Sequence, residues 1–277
     1  MWHRLRVLIR KQPMGAVGFI LVLLVALAAI FAPQLTAHAP QALSGPPLSG
    51  PSGAHWFGTD DLGRDVFSRV LHGGRISLSV GALSVLIGCA AGTGLGLLSG
   101  YLRGWVDLAI QRTVDTLMAL PTLVLALAIV AALGTNQRNV IMAITIAMIP
   151  QITRIIRGSV LTVCEEGFVE AARGLGVRVP RIMVRHILPN LVGPIVVVAT
   201  AFFGTAIVTE AALSFVGLGT PPPIPSWGNM MSGSARTYIT SAPWMAFYPG
   251  LALSVLVFGV NIVGDAIRDV LDPRLRT

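Results

Sequence analysis

Charge is what this 277-residue chain has least of. Asp, Glu, Lys and Arg together make up 12% of it, while 54% is hydrophobic and the mean hydropathy is +0.76. A soluble domain carries about 25% charged residues, so this chain cannot cover a water-facing surface and a bilayer must be its solvent. Cysteine is scarce too. Cys89 lies in an apolar run and Cys164 in a charged loop, at different membrane depths, which speaks against a disulfide or a cysteine metal site. His3, His38, His55, His72 and His186 lack ligand spacing, and no GxxxxGK[ST] stretch occurs, so the chain has no phosphate-cradling loop of its own. No Ser/His/Asp or metal-ligand cluster is present to support a membrane-embedded enzyme. The net charge of +8 and pI near 10.9 do not indicate nucleic acid. The arginines fall in short loops instead of one basic face interleaved with aromatics, which is the positive-inside bias of a membrane protein.

What is abundant is long uncharged sequence, and it divides into six spans of an all-α membrane protein. The first covers 14–32, enough to cross a core of about 30 Å. Arg4, Arg6, Arg10 and Lys11 precede it and Ala37-His38-Ala39 resembles a cleavage site, but the apolar run exceeds the 7–15 residues or so of a signal peptide and is expected to stay. The second span, 76–100, repeats small residues at Ser84, Gly88, Gly92, Gly96 and Gly100. That spacing lines one helix face and predicts close approach of another helix. The third covers 116–134, with Pro121 near its start. The fourth, 138–156, contains Pro150 and Gln151, which belong in protein contacts and not against lipid. The fifth covers 191–216 and the sixth 244–264.

Placing residues 1–13 in the cytoplasm and alternating the spans puts fifteen of the 20 Lys and Arg inside and five outside. Both termini, the tail 265–277 and the loop 157–190 are then cytoplasmic. Arg64, Arg69 and Arg75 are the outside exceptions, and Asp60, Asp61 and Asp65 stand beside them for pairing. The outer segments 33–75 and 217–243 are long and rich in Pro, Gly and Ser, a length that accompanies binding or capping of an opening. Trp227 and Trp244 are expected to mark the outer interface.

The loop 157–190 carries most of the functional signal. From Cys164 to Arg173 it suits a helix, with Glu165 and Glu166 at the start where the dipole favours negative charge. Phe168, Ala172 and Leu175 fall on one face at i, i+4 and i+7, and Gly176 is placed to end the helix with positive φ. Such a small apolar face can seat in a partner's groove. Pro180 suits the first turn of a second helix, on which Arg178, Arg181 and Arg185 share a face at headgroup level.

At this point the residues resemble a known family. FVEAARGLGVRVPRIMVRHILPN, from Phe168, resembles the EAA loop of permease subunits in binding-protein-dependent ABC importers. HWFGTDDLGRDVFSRVLHGGRISLSVG from His55, TEAALSFVGLGTPPPIPSWG from Thr209 and the closing NIVGDAIRDVLDPRLR extend the resemblance to the C-type permease of the peptide/nickel group. It covers the chain from about Ala54, while Trp2–Gln12 and Gln34–Gly53 carry no family signal. It implies the type I importer permease fold over 76–270, in a bacterial inner membrane. It also implies a homologous B-type permease partner, two ABC ATPase subunits and an extracytoplasmic substrate-binding protein. ATP and Mg would be bound by the ATPases, with no cofactor and no catalytic residue on this chain. The coupling helix to the ATPase would comprise Glu165, Glu166, Phe168, Glu170, Ala171, Ala172, Arg173, Leu175 and Gly176. Glu170 would orient or pair within the joint, Ala171 and Ala172 would pack closely, and Gly176 would turn the chain. The cargo implied is di- or oligopeptide, with nickel or a glutathione-like solute as the alternative.

Glu210 is the one carboxylate well inside a predicted span. Intramembrane charge is expensive and marks a functional candidate, here a pathway or gate residue, against a structural hydrogen bond to the Pro-rich outer loop. A proton- or sodium-coupled carrier is the rival class, but it would want several intramembrane charges or broken helices in matching halves.

Overall fold

Asp65 starts the longest helix of the molecule by accepting the Ser68 backbone N–H at 2.7 Å, as an N-cap carboxylate does. This computed structural model describes residues 13–271. Its main helices are α1 (Pro13–Ile30), α2 (Val66–Leu102), α3 (Gly104–Met118), α4 (Thr122–Leu133), α5 (Gln137–Cys164), α6 (Gly167–Gly174), α7 (Val192–Phe215) and α8 (Trp244–Leu271). The basic residues at 4–11, 274 and 276, used in the charge count, lie outside the described residues.

α2 has 37 residues, about 55 Å of helix. It begins ten residues before the expected span because Val66 and Val70 are buried under the outer segments with Ala235, Ala242 and Met245. The small-residue stripe of α2 does what its spacing predicts, and α5 is the helix that closes on it. A Cβ on Gly92 would stand 2.6 Å from Ile152 Cγ2, one on Gly96 2.9 Å from the Thr153 carbonyl oxygen, and one on Gly100 2.8 Å from Val160. Across the same seam the Ser84 hydroxyl donates to the Ile141 carbonyl and the Thr145 hydroxyl to the Ser84 carbonyl. This contact explains why α5 continues eight residues past the expected end of the fourth span: Ile156 and Val160 are knobs over Gly96 and Gly100. Pro150 is buried, and Gln151 donates to Thr122 Oγ1 at 3.0 Å.

The expected third span, 116–134, is not one helix. Residues up to Met118 finish α3, the chain breaks at Ala119-Leu120-Pro121, and α4 leaves at 88° to α3. Pro121 lacks an N–H and disfavours helical geometry at Leu120. Two ion pairs hold α3 across α5. Arg157 grips Asp107 through Nε at 2.7 Å and Nη2 at 2.6 Å, and Arg154 pairs with Asp115. Among the described residues five helices are long and apolar enough to cross a membrane, six if α3 and α4 count as one bent span.

α1 lies against α8, where Gly18 faces Gly259 and Ile262 at distances that leave no room for a Cβ. Its last carbonyls, Ala29 and Ile30, accept from the Arg75 guanidinium at 2.8 and 2.7 Å, a cation placed where the helix dipole wants one. The other two arginines of that region are matched as well: Arg64 Nε donates to Asp60 at 2.6 Å, and Arg69 Nε lies 3.5 Å from the same carboxylate.

The first of the two tryptophans differs from expectation. Trp227 is buried, and its indole N–H donates to the Val70 carbonyl at 2.9 Å. Trp244 is half-buried and donates to the Thr59 carbonyl at 3.0 Å. Both fasten the outer segments to the helices, so Trp227 is a packing anchor and not an interface marker. Trp227→Phe is expected to cost about 1–3 kcal/mol through the lost buried bond, measured as a lower midpoint of thermal unfolding in detergent.

Candidate functional site

The loop between α5 and α7 is built on the end of α5. Cys164 closes that helix, Glu165 continues in αR geometry, and Glu166 occupies the N-cap position of α6 without a side-chain cap bond. α6 therefore starts at Gly167, three residues later than expected, and both glutamates precede it. It ends as the sequence predicts. Gly176 has φ +70°, its N–H donates to the Arg173 carbonyl at 2.9 Å, and the Val177 N–H reaches the Ala172 carbonyl at 3.1 Å. That pair of bonds is a Schellman motif, which only a residue free to adopt positive φ closes without strain.

The inward face of α6 is not the expected one. Val169 is 0% and Ala172 5% exposed, joining a buried cluster with Cys164, Ile182, Met183 and Ile187. Phe168 is 43% and Leu175 83% exposed. The expected face of Phe168, Ala172 and Leu175 is thus split: Ala172 points into the molecule and the other two point away. Ala171 is exposed between them, so Phe168, Ala171 and Leu175 form an outward apolar ridge at i, i+3 and i+7. Val169 is the residue that periodicity missed. In a four-residue choice among Phe168, Val169, Ala172 and Leu175, only the docking of α6 on Ile182 and Met183 decides which pair turns inward.

Charge frames the ridge. Glu165, Glu166 and Glu170 are exposed, and no ion pair of theirs occurs among the described residues. Arg173 is engaged within its own chain, its guanidinium 5.1 Å from the centre of the Tyr101 ring at the end of α2, a cation–π contact. After α6 the path resumes at Val179–Ile182, with Pro180 in its first turn, passes a π turn at Met183–Ile187 and a 3-10 turn at Leu188–Leu191, and continues as α7. α6 therefore sits at a corner between two long helices, touching α5 and the 179–187 stretch that leads into α7, with its ridge unfilled by this chain.

Glu210 lies near the far end of α7. It is fully buried, accepting from Ser77 of α2 at 2.9 Å and from Ser214 of its own helix at 2.7 Å. Ser226 of the outer segment stands beside the carboxylate. The carboxylate is enclosed by protein groups, and the sequence signal that singled it out, a lone acid in a span, says nothing of these partners.

Residues 92–277 match the family model described as binding-protein-dependent transport system inner membrane component, and residues 1–51 match that described as N-terminal TM domain of oligopeptide transport permease C. The second match corrects the expectation that Trp2–Gln12 and Gln34–Gly53 carry no family signal. An apolar helix and a Pro/Gly-rich loop offer no motif that a single sequence displays. The chain is 44% identical over 278 residues to a dipeptide transport system permease protein of Alkalihalophilus pseudofirmus, covering 100% of this chain and 91% of the relative. It is 47% identical over 228 residues to a glutathione transport system permease protein of Pectobacterium atrosepticum, covering 82% of this chain and 75% of that protein. Among solved structures the fold is similar to the MetNI methionine ABC transporter in an inward-facing conformation, with a TM-score of 0.61, 20% identity, and coverage of 74% of this chain and 96% of that one.

Proposed function

The chain belongs to the family of binding-protein-dependent transport system inner membrane components, and from that premise we propose that it is the C-type permease of an ATP-driven peptide importer. A homologous permease completes the pathway with it, separate ATPase subunits supply the energy, and a binding protein delivers cargo to the outer segments. Both termini and α6 face the cytoplasm, in keeping with the distribution of arginine.

The observation that carries the coupling role is the ridge of Phe168, Ala171 and Leu175. Three apolar side chains, two of them large, stand out from a short helix that is pinned from behind by Val169 and Ala172. A helix laid into a groove presents i, i+3 and i+7 anchors of this kind. The residues Glu165 to Gly176 form the joint, and Glu170 sits on its polar flank to pair with a base on the ATPase. Short peptides are the cargo favoured by the 44% identity to a dipeptide permease. Relatives named for glutathione, itself a tripeptide, fall within the same chemical class.

The test is co-purification of the tagged chain from its native membrane, wild type beside Glu170→Arg. Wild type is expected to bring a second permease and ATPase subunits, and the variant to keep the permease and lose most of the ATPases. A chain that purifies alone and still transports would overturn the proposal.

A further inference from the structure

A buried carboxylate with only hydroxyl partners is costly to retain, since an apolar residue of similar size would pack more cheaply. Glu210 is such a group: it is 0% exposed, Ser77 and Ser214 donate to its two oxygens at 2.9 and 2.7 Å, and it makes no ion pair among the described residues. The groups around it come from three different parts of the fold. Ser77 belongs to α2, Ser214 to α7, and Ser226 begins the outer turn Trp227–Met230 through reciprocal capping with Asn229.

That outer turn is pressed on α7 without intervening side chains. A Cβ on Gly228 would stand 2.3 Å from the Ala211 carbonyl oxygen, and one on Gly219 2.3 Å from Ser214 Cα. Trp227 ties the same turn to Val70 of α2. Followed in the other direction, the helical path runs from Glu210 back to Val179, 31 residues or about 46 Å, and Val179 adjoins α6. A rod transmits displacement only when its far end is fixed to the part that is pushed.

We propose that Glu210 is the positioning residue that fixes α7 to α2 directly beneath the outer turn 226–230, so that docking of the binding protein on the outer face is felt at α6. The inference rests on the importer reading given above. Glu210 touches no cargo in this role and acts through Ser77 and Ser214.

The experiment compares ATP hydrolysis by the purified complex in lipid nanodiscs with and without the co-purified binding protein carrying its endogenous ligand. In Glu210→Ala the ATPases are expected to remain bound while stimulation over the basal rate falls about tenfold, the scale of losing buried hydrogen bonds. Glu210→Gln, which keeps two hydrogen-bonding atoms in place, is expected to stay within about twofold of wild type. Ser77→Ala removes one bond at a position where Ala suits the helix and is expected to lower stimulation severalfold. Stimulation in Glu210→Ala equal to wild type overturns the inference and leaves the importer reading intact. Should that variant fail to assemble, unchanged stimulation in Ser77→Ala overturns it instead. A wild-type complex without ATPases overturns both.

Discussion

Gly96→Leu is expected to abolish recovery of folded protein from the membrane. The Cβ alone would stand 2.9 Å from the Thr153 carbonyl oxygen and 3.0 Å from the Arg157 backbone nitrogen. These are main-chain atoms, so no rotamer change relieves the clash and α2 and α5 must separate. That separation unseats Ile152, Ile156 and Val160, all fully buried at the seam, and strains the Arg157–Asp107 pair that holds α3. Overpacking a seated side chain costs about 1–3 kcal/mol, and here the loss of the whole seam adds to it. Gly94→Leu on the same helix is the control, because nothing lies within 4 Å of a Cβ at that position. Fluorescence-detected size exclusion of tagged variants in mild detergent distinguishes them: a monodisperse peak for Gly94→Leu and none for Gly96→Leu. Equal peaks would mean that the seam between α2 and α5 is not what holds the bundle.

Val169→Asp is expected to eliminate ATP-driven uptake while leaving the spans assembled. α6 has eight residues, too few to be stable by themselves, and it is seated by two buried side chains, Val169 and Ala172. An unpaired charge at a fully buried position costs several kcal/mol, more than so small a contact returns, so the helix detaches and its ridge is lost as a rigid unit. Phe168→Asp, one residue away but 43% exposed, is expected to lose uptake by a different route, with α6 still seated and only its outward ridge spoiled. Limited proteolysis separates the two. The loop of Val169→Asp should be cut within residues 165–178 under conditions that spare wild type and Phe168→Asp. Protection of the Val169→Asp loop would show that α6 is held by something other than those two side chains.

Much of this architecture was legible because hydropathy and small-residue spacing act over one or two turns. The spans at 14–32, 191–216 and 244–264 begin within a residue or two of α1, α7 and α8, and the stripe from Ser84 to Gly100 identified a close helix contact without naming its partner. The positive φ at Gly176 followed from where a helix of that composition must stop. Where the reading missed, a neighbour intervened. α5 runs past residue 156 because Val160 has Gly100 to pack on, and the third span breaks because Pro121 adjoins a helix that two ion pairs hold across α5. The loop helix shows the limit most directly. Its apolar residues indicated a short helix with an apolar face, but the choice between Val169 and Phe168 as the inward residue belongs to Ile182 and Met183.

The sequence by itself determined the solvent of this protein and, through its motifs, the family to which it belongs, because both depend on residue type and near spacing. Tertiary structure alone decided that Trp227 is an anchor on Val70, 157 residues away in the chain. It likewise decided that Glu210 closes on Ser77, 133 residues away, and that Phe168, Ala171 and Leu175 are left facing outward. The reason is physical: burial in a bilayer is a local property summed along the chain, whereas the partner of a buried polar group is whichever distant group the packed helices bring within about 3 Å.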